Sequence, residues 1–224
     1  NGGDVIISGT VTITSDNTTN DGTLSIGGPI EGAGGSADDL TIDSGTGVLT
    51  LSGTIGLDTA VDALDINTAT GSANISISGI GDNTGGSLNA GAGITNIGNA
   101  STGNVTFSGA FYRTDGAITV TTATAGSTQI DFTGAAPTIT TSQDKVEFVG
   151  GDILLANGAS LEIQTNYGNP ADTNGGNIII AGEITGTSDE NLTLSTGTVG
   201  TSGTVSVHAI GSGTEISTIS IRGN

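Results

Sequence analysis

The sequence contains no cysteine, methionine or tryptophan, and only three of its 224 residues are basic. Without cysteine there is no disulfide framework, and there is no thiol that oxidation outside a cell could damage. The basic residues are Arg113, Lys145 and Arg222. They are too few to form the clusters that neutralise phosphates, so the composition excludes nucleic-acid binding and attachment to an anionic membrane through a basic patch.

The formal net charge of −19 arises from missing bases and not from surplus acids. Acidic residues number 22 of 224, about a tenth, whereas charged residues of both signs make up roughly a quarter of a typical chain. Glycine is abundant, at 40 residues, but follows no three-residue period, and there are only 3 prolines. Collagen is therefore excluded.

Long apolar runs are also missing. No run approaches the roughly 18 residues that a membrane helix needs, so we expect no membrane insertion. The chain shows no signal peptide and does not begin with methionine. We therefore expect a mature or excised segment of a longer protein.

What the sequence does contain is a short motif of alternating apolar residues followed by glycine or alanine. Alternation of this kind is typical of a half-buried strand, and the glycine permits a bend or a close backbone approach. The mean spacing is about 25 residues. The nine occurrences are Val5–Gly9, Leu24–Gly28, Leu49–Gly53, Ile75–Gly79, Val105–Gly109, Ile130–Gly134, Val146–Gly150, Ile178–Gly182 and Val205–Ala209.

Further alternating runs lie between these motifs, and no helical periodicity is present. Each repeat of about 25 residues therefore holds at least two short strands, which suits one coil of a parallel β-helix. We predict an all-β fold, a β-solenoid of about nine coils of roughly 25 residues. The alternative is a string of tandem Ig-like β-sandwiches, against which the absence of tryptophan and cysteine counts.

A longer period is superimposed on the short one. The segment Gly2–Ile7 is similar to Gly150–Leu155, and Gly22–Gly32 is similar to Gly176–Gly186. These matches predict a first long unit over residues 1–149 and the start of a second, similar unit over 150–224 that continues the same solenoid. We expect the chain to be a slice of a longer array.

The runs Leu40–Gly56 and Val61–Ile66 resemble the β-strand repeats of giant bacterial surface proteins, the haemagglutinin-type and autotransporter-like adhesins. Sheath and S-layer polymers share this composition. The resemblance implies a secreted, fibrous β-helix at a prokaryotic cell surface. We therefore expect a structural segment of a fibre, stalk, sheath or surface layer that assembles by end-to-end stacking of coils. The alternative is an adhesin module that binds a glycan or a protein of a host or neighbouring cell.

Few residues suggest chemistry. Phe107, Phe132 and Phe148 occupy the same place in successive motifs, so we expect them to stack as an inward ladder. His208 alternates with Val207 and faces outward, where a lone imidazole makes a poor metal site. Tyr112-Arg113 is the one aromatic–basic pair, and we expect it on a loop at the rim.

Several groups of acidic residues could offer oxygen ligands to calcium, but we expect them to be solvated turns. They are Asp38/Asp39, Asp58/Asp62/Asp65 and Asp189/Glu190. Catalysis would need either a pair of carboxylates in a cleft or calcium together with a basic residue. We expect neither arrangement, because the three basic residues are isolated in the sequence. We predict no catalytic, cofactor or metal site, with calcium the one ion left open. The expected partners are further copies or neighbouring repeats of the same polypeptide, with glycans as the alternative.

A specific binder should also present a long insertion with clustered aromatic residues. The stretch from Gly81 to Asn104 is the longest between successive motifs and interrupts the pattern, but it contains no aromatic residue. This absence favours the structural role over the adhesive one.

Overall fold

The alternating runs form 21 short β-strands, and none of the described residues is helical. A computed structural model describes residues 3–17, 21–34, 37–69, 71–81, 91–124, 126, 128–156, 158–166, 174–197, 201–212 and 214–223. The strands are β1 (Val5–Ile7), β2 (Val11–Thr14), β3 (Leu24–Ile26), β4 (Ile30–Gly32), β5 (Asp39–Asp43), β6 (Leu49–Leu51), β7 (Val61–Ile66), β8 (Ile75–Ile77), β9 (Ala92–Ile97), β10 (Val105–Phe107), β11 (Phe111–Thr114), β12 (Ile118–Thr121), β13 (Gln129–Phe132), β14 (Thr138–Thr141), β15 (Val146–Val149), β16 (Asp152–Leu155), β17 (Ser160–Gln164), β18 (Ile178–Thr185), β19 (Asn191–Ser195), β20 (Val205–Ile210) and β21 (Thr218–Arg222).

The strands pair into three parallel stacks, which form the three faces of a solenoid. The first stack is β2, β5, β7, β9, β12, β15 and the first halves of β18 and β20. The second is β3, β6, β8, β10, β13, β16 and the second halves of β18 and β20. The third is β1, β4, the bridge residues Ile55 and Ile80, then β11, β14, β17, β19 and β21.

The predicted β-solenoid is confirmed, but it has about seven turns and not nine. Most of the nine motifs lie in the second stack. Val5–Ile7 lies in the third stack, however, and the last three motifs lie in the first. Two of the steps that we counted as full coils are therefore only partial turns. An alternating strand followed by glycine looks the same in sequence on every face, so the motif alone did not reveal this change.

Every pairing between named strands is parallel. Ig-like sandwiches are built from antiparallel sheets, so that alternative is wrong. Within the described ranges, no helix has the length and apolar character needed to cross a membrane.

The core is a set of inward columns in which each apolar side chain lies on the equivalent one of the next turn. One column of the first stack runs through Leu40, Leu64, Thr95 and Ile118, all of them buried. Such stacking buries the apolar side chains without any helix to cover the sheets.

The stretch from Gly81 to Asn104 does not interrupt the first stack, because it contains β9. This strand pairs with β7 on one side and β12 on the other. Its pattern was hard to read because a polar residue, Thr95, points into the core, where its hydroxyl donates to the Gly93 carbonyl at 3.3 Å. Ile94 faces solvent instead and is 60% exposed. Residues 82–90 lie outside the described residues.

Glycines after the strands allow one turn to lie directly on the next, as the motif predicts. A Cβ atom at Gly109 would overlap the backbone carbonyl of Ser78, one turn earlier. A Cβ at Gly53 would overlap the carbonyl of Gly28 in the same way. The glycines are therefore required by the close approach of adjacent turns.

Replacing Gly109 with alanine should destabilise the solenoid by about 1–3 kcal/mol, because the added methyl group forces two turns apart. Gly27→Ala is the matched control, since a Cβ there has no atom within 4 Å and φ is not positive. Its stability should be unchanged or slightly raised. Urea denaturation followed by circular dichroism measures both, and equal losses for the two variants would contradict the close-approach explanation.

Candidate functional site

The three phenylalanines are buried in the core, as expected, but they do not form a single ladder. Phe107 and Phe132 are direct neighbours in the second stack, with ring centroids 4.9 Å apart and an interplanar angle of 10°. Phe148 lies in the first stack and meets Phe132 across the interior at 6.2 Å and 77°. The prediction of equivalent positions was wrong for Phe148, because its motif belongs to a different face.

A fourth aromatic ring, Tyr112, completes this cluster. Its ring meets Phe107 edge-on at 4.8 Å, and its hydroxyl donates to the Ile77 carbonyl at 3.0 Å and accepts from the Gly109 amide at 2.7 Å. Burial raises the pKa of the Tyr112 phenol despite the latter bond. The expected rim loop was therefore wrong, since Tyr112 lies inside β11. Tyr112 lies three residues after Gly109, whereas Ile55 lies two after Gly53 and Ile80 one after Gly79, so that Tyr112 and not Phe111 aligns with Ile80.

The basic residues do not combine into a site. Arg113 is buried in β11, and Lys145 forms an ion pair with Glu147 at 2.5 Å. Arg222 is exposed at the end of β21, and His208 is exposed on β20, as predicted from its alternation with Val207. The described residues therefore offer no clustered bases for an anionic ligand.

The acidic residue Asp38 joins neighbouring turns through backbone hydrogen bonds. Its two carboxylate oxygens accept from the amides of Gly9 and Ala33, each at 2.8 Å. Asp62, one turn further on, accepts from the amide of Asp38 at 2.9 Å and also from that of Ala37. These carboxylates therefore bind the backbone at a corner of the solenoid, which is not the solvated turn we expected for Asp38.

Glu31 also binds backbone amides of a neighbouring turn through its carboxylate. The sequence analysis did not identify this residue. Its carboxylate is buried and accepts from the amides of Leu57, Asp58 and Thr59 at 3.2, 3.0 and 2.9 Å. No sequence signal marked it, because alternation after Ile30 indicates only a solvent-facing side chain. The corner folds back over that side chain.

Glu190 is the most enclosed of these acids. Its carboxylate accepts from the Thr187 hydroxyl at 2.7 Å, from the Ser188 amide at 2.7 and 2.8 Å, and from the Gly158 amide at 3.3 Å. Burial opposes ionisation, but the hydrogen bonds outweigh it and lower the pKa of Glu190 to about 2. Its neighbour Asp189 is exposed. Of the two acids, Glu190 therefore has a structural role, and Asp189 is solvated as expected.

Near β2, the carboxyl groups of Asp16 and Asp21 lie in contact with each other. The amides of Asn17 and Thr46, together with the Thr46 hydroxyl, lower the pKa of Asp21 to about 2. Desolvation and the negative charges of Asp21 and Asp43 raise the pKa of Asp16. Across the described parts of the chain, no group of three or more His, Cys, Asp and Glu residues is arranged to hold a metal ion.

A polar cleft lies in the middle of the second stack, beside the first residues of β10, β13 and β16. It has a volume of about 210 Å³ and is lined by Asn104, Gly126, Thr128, Gln129 and Asp152. Asn104, Gln129 and Asp152 occupy equivalent places in three successive turns. The cleft therefore presents amide, hydroxyl and carboxylate groups, which suit a neutral hydroxylated ligand better than an apolar one.

The two ends of the solenoid differ from its sides, because their strands pair on one side only. We call the open edges of β1, β2 and β3 the N-terminal end face, and those of β20 and β21 the C-terminal end face; among the described strands each pairs with one turn alone. Exposed apolar side chains concentrate there: Ile6 is 60%, Val5 37%, Ile219 47% and Ile221 56% exposed. The ends thus combine free backbone donors and acceptors with apolar surface.

No protein-family model matches this sequence, and comparisons with curated proteins and with solved structures found no significant similarity.

Glu190→Gln should lower the free energy of unfolding at pH 7, because an amide accepts these hydrogen bonds without the charge that strengthens them. The native carboxylate has a depressed pKa, so its contribution is complete above the ordinary value of 4.5 and is lost as pH falls towards about 2. The stability gap between wild type and variant should therefore close over that interval.

Urea unfolding at several pH values measures this gap. Asp189→Asn is the matched control, since it removes a neighbouring exposed carboxylate that no described backbone amide caps. A pH-independent gap for Glu190→Gln, or an equal effect of Asp189→Asn, would contradict the structural role of the buried charge.

Proposed function

We propose that this chain is a structural segment of a long, secreted, repetitive fibre, stalk, sheath or surface layer, in which β-coils stack end to end at a cell surface. The observation that carries the proposal is the parallel stacking of the turns, in which each turn offers strand edges and apolar columns to the next. An unpaired strand edge is a template for another strand. On both end faces it lies beside apolar side chains that are buried in every inner turn.

The inner turns explain why stacking would be favourable. Each one satisfies its strand amides and carbonyls through the turns above and below, and buries its inward side chains against theirs. A further turn added at either end face repeats the same contacts, so no new kind of interaction is required.

The sides of the solenoid support a passive role. The outward column of the second stack begins with Ser25, Thr50, Ser76 and Thr106, which are small and uncharged, and continues with Asp131 and Leu154. Among the described residues, the carboxylates of Asp38, Glu31 and Glu190 bind backbone amides and so stabilise the solenoid itself. These features of the lateral surface support a structural role.

Ile221→Lys should weaken end-to-end association, because it places a charge on the C-terminal end face, where an apolar column would continue. Ile94→Lys is the matched control. Ile94 is 60% exposed, close to the 56% of Ile221, but it lies on the side of the solenoid. Sedimentation velocity at increasing protein concentration should show larger species for wild type and for Ile94→Lys, and far fewer for Ile221→Lys.

Mixing two defective variants makes this experiment sharper. Val5→Lys blocks the N-terminal end face and leaves the C-terminal one intact, so a mixture with Ile221→Lys should form dimers and stop there. Electron microscopy of wild type should show continuous rods. A wild-type chain that stays monomeric at all concentrations would overturn end-to-end assembly.

A second candidate function is glycan binding by an adhesin module, and the polar cleft at Gln129 is the observation that favours it. A glycan array should then show binding that Gln129→Ala reduces at least tenfold. Gln164→Ala, on the third stack, is the control and should bind like wild type. A glycan array without hits would contradict glycan binding and leave the structural role as the one proposed function.

A further inference from the structure

We propose that the polar cleft beside β10, β13 and β16 binds one neutral sugar unit, with Asn104 as hydrogen-bond donor and Asp152 as acceptor. This inference rests on the second candidate function, glycan binding, and names the class of sugar and the atoms that hold it. It follows from the hydrogen bonds that already occupy one oxygen of each of these two side chains.

Side-chain oxygens at the start of the second-stack strands form a ladder along the solenoid. Asn74 Oδ1 accepts from the backbone amide of Asn104 at 2.8 Å, and Asn104 Oδ1 accepts from that of Gln129 at 2.9 Å. Asp152, two turns after Asn104, accepts through Oδ1 from the backbone amide of Glu183 at 2.9 Å. Each oxygen binds the equivalent residue of the next turn. These side chains are therefore held in place before a ligand arrives, which lowers the cost of binding.

The same bonds determine which atoms remain for a ligand. A backbone N–H donates, so the oxygen of the Asn104 side chain faces it, and Nδ2 remains as a donor. Asp152 has Oδ1 occupied, and Oδ2 remains as an acceptor. Gln129 lies on the turn between them, and its side-chain amide can both donate and accept. In the described part of the chain, no residue hydrogen-bonds Asn104 Nδ2, Asp152 Oδ2 or the Gln129 side chain.

The cleft lies where the corners between the first and second stacks change in length. The corner that joins β12 to β13 contains Gly126 and Thr128, whereas only Gly150 and Gly151 separate β15 from β16. The longer corner packs onto the shorter one, because a Cβ atom at Gly151 would lie 2.8 Å from the Thr128 carbonyl oxygen. Gly126 and Thr128 line the cleft together with the ladder side chains. This corner therefore provides a wall beside the ladder.

The volume of about 210 Å³ limits the ligand to one small unit. Pockets that enclose a drug-sized molecule are larger, roughly 300–1,000 Å³. The residues that line the cleft are all exposed or half-buried. A single sugar ring can therefore occupy the cleft while the rest of a glycan extends into solvent.

The lining selects a neutral, hydroxylated ligand. A sugar hydroxyl both donates and accepts, so hydroxyl groups on two edges of one ring can accept from Asn104 Nδ2 and donate to Asp152 Oδ2. The backbones of these two residues are two strand spacings apart, roughly 10 Å. An anionic ligand would face the Asp152 carboxylate, and no basic side chain lines the cleft to offset that repulsion. An apolar ligand would leave the lining groups unpaired.

Titrations followed by saturation-transfer-difference NMR test this site. The probes are the methyl glycosides of glucose, galactose and mannose, with glucuronic acid as the anionic comparison. We expect at least one neutral probe to bind the wild-type chain, and glucuronic acid to bind roughly tenfold more weakly because of its charge. Equal binding of glucuronic acid would contradict the role given to Asp152.

The decisive variants exchange one free atom and retain the ladder. Asn104→Asp replaces the free donor by an acceptor and keeps an oxygen for the Gln129 amide, so neutral-sugar binding should fall roughly tenfold. Asp152→Asn keeps an oxygen for the Glu183 amide and should weaken binding as much. Asn74→Asp is the matched control, because Asn74 makes the same backbone bond one turn earlier but does not line the cleft. It should bind like wild type.

Urea denaturation of the same variants separates a lost contact from a lost fold. Asn104→Asp and Asn74→Asp should both have unchanged or slightly raised stability, since a carboxylate also caps the amide. A loss of binding in Asn74→Asp equal to that in Asn104→Asp would overturn the proposed donor.

The outcomes separate this site from glycan binding itself. If Asn104→Asp and Asp152→Asn bind a neutral probe as tightly as wild type, the sugar lies elsewhere, and this site is overturned while glycan binding stands. If no probe binds, this site is overturned, whereas glycan binding as such falls only with an empty glycan array. End-to-end stacking, measured by sedimentation, is independent of each of these results.

Discussion

The parallel pairing of each turn with the next is the interaction on which the rest of the molecule depends. It aligns equivalent residues of successive turns, so apolar side chains form continuous columns and the aromatic rings of Phe107 and Phe132 lie directly on each other. It also requires glycine where two backbones approach closely, as at Gly109. Among the described strands, the inner ones pair with a turn on each side, whereas β2, β20 and β21 pair with one turn alone.

Several carboxylates stabilise the corners of the solenoid. Sharp corners leave backbone amides that no strand can pair, and Glu31, Asp38 and Glu190 accept hydrogen bonds from those amides. A carboxylate suits this task because it is acceptor-only and its charge strengthens each bond. Lysine and arginine offer only donors, so they cannot cap an amide. These acids therefore serve the corners of the solenoid, whereas the net charge itself comes from the scarcity of bases.

Much of the fold could be predicted from local pattern, because alternation and glycine act within a few residues of each other. The strands around Ile75 and Val105 were visible in this way. β9 was not, since Thr95 takes a core position and Ile94 faces solvent. Tyr112 was misplaced because the number of residues from the glycine to the next inward position differs between turns. Glu190 was named only as a member of an acidic pair, since its donors come partly from Gly158, on the preceding turn. The division into units at residues 1–149 and 150–224 stays a prediction.

The sequence by itself determined that the chain is an all-β solenoid with apolar columns, few charges on its sides and no cluster of bases. These properties follow from residue type and spacing along the chain. Only the tertiary structure decided which face each strand occupies, how many turns there are, and which acids are buried. The matched segments Val5–Ile7 and Ile153–Leu155, for example, lie in different stacks. Turns differ in length because their corners differ, and a corner's path depends on contacts with the turns beside it.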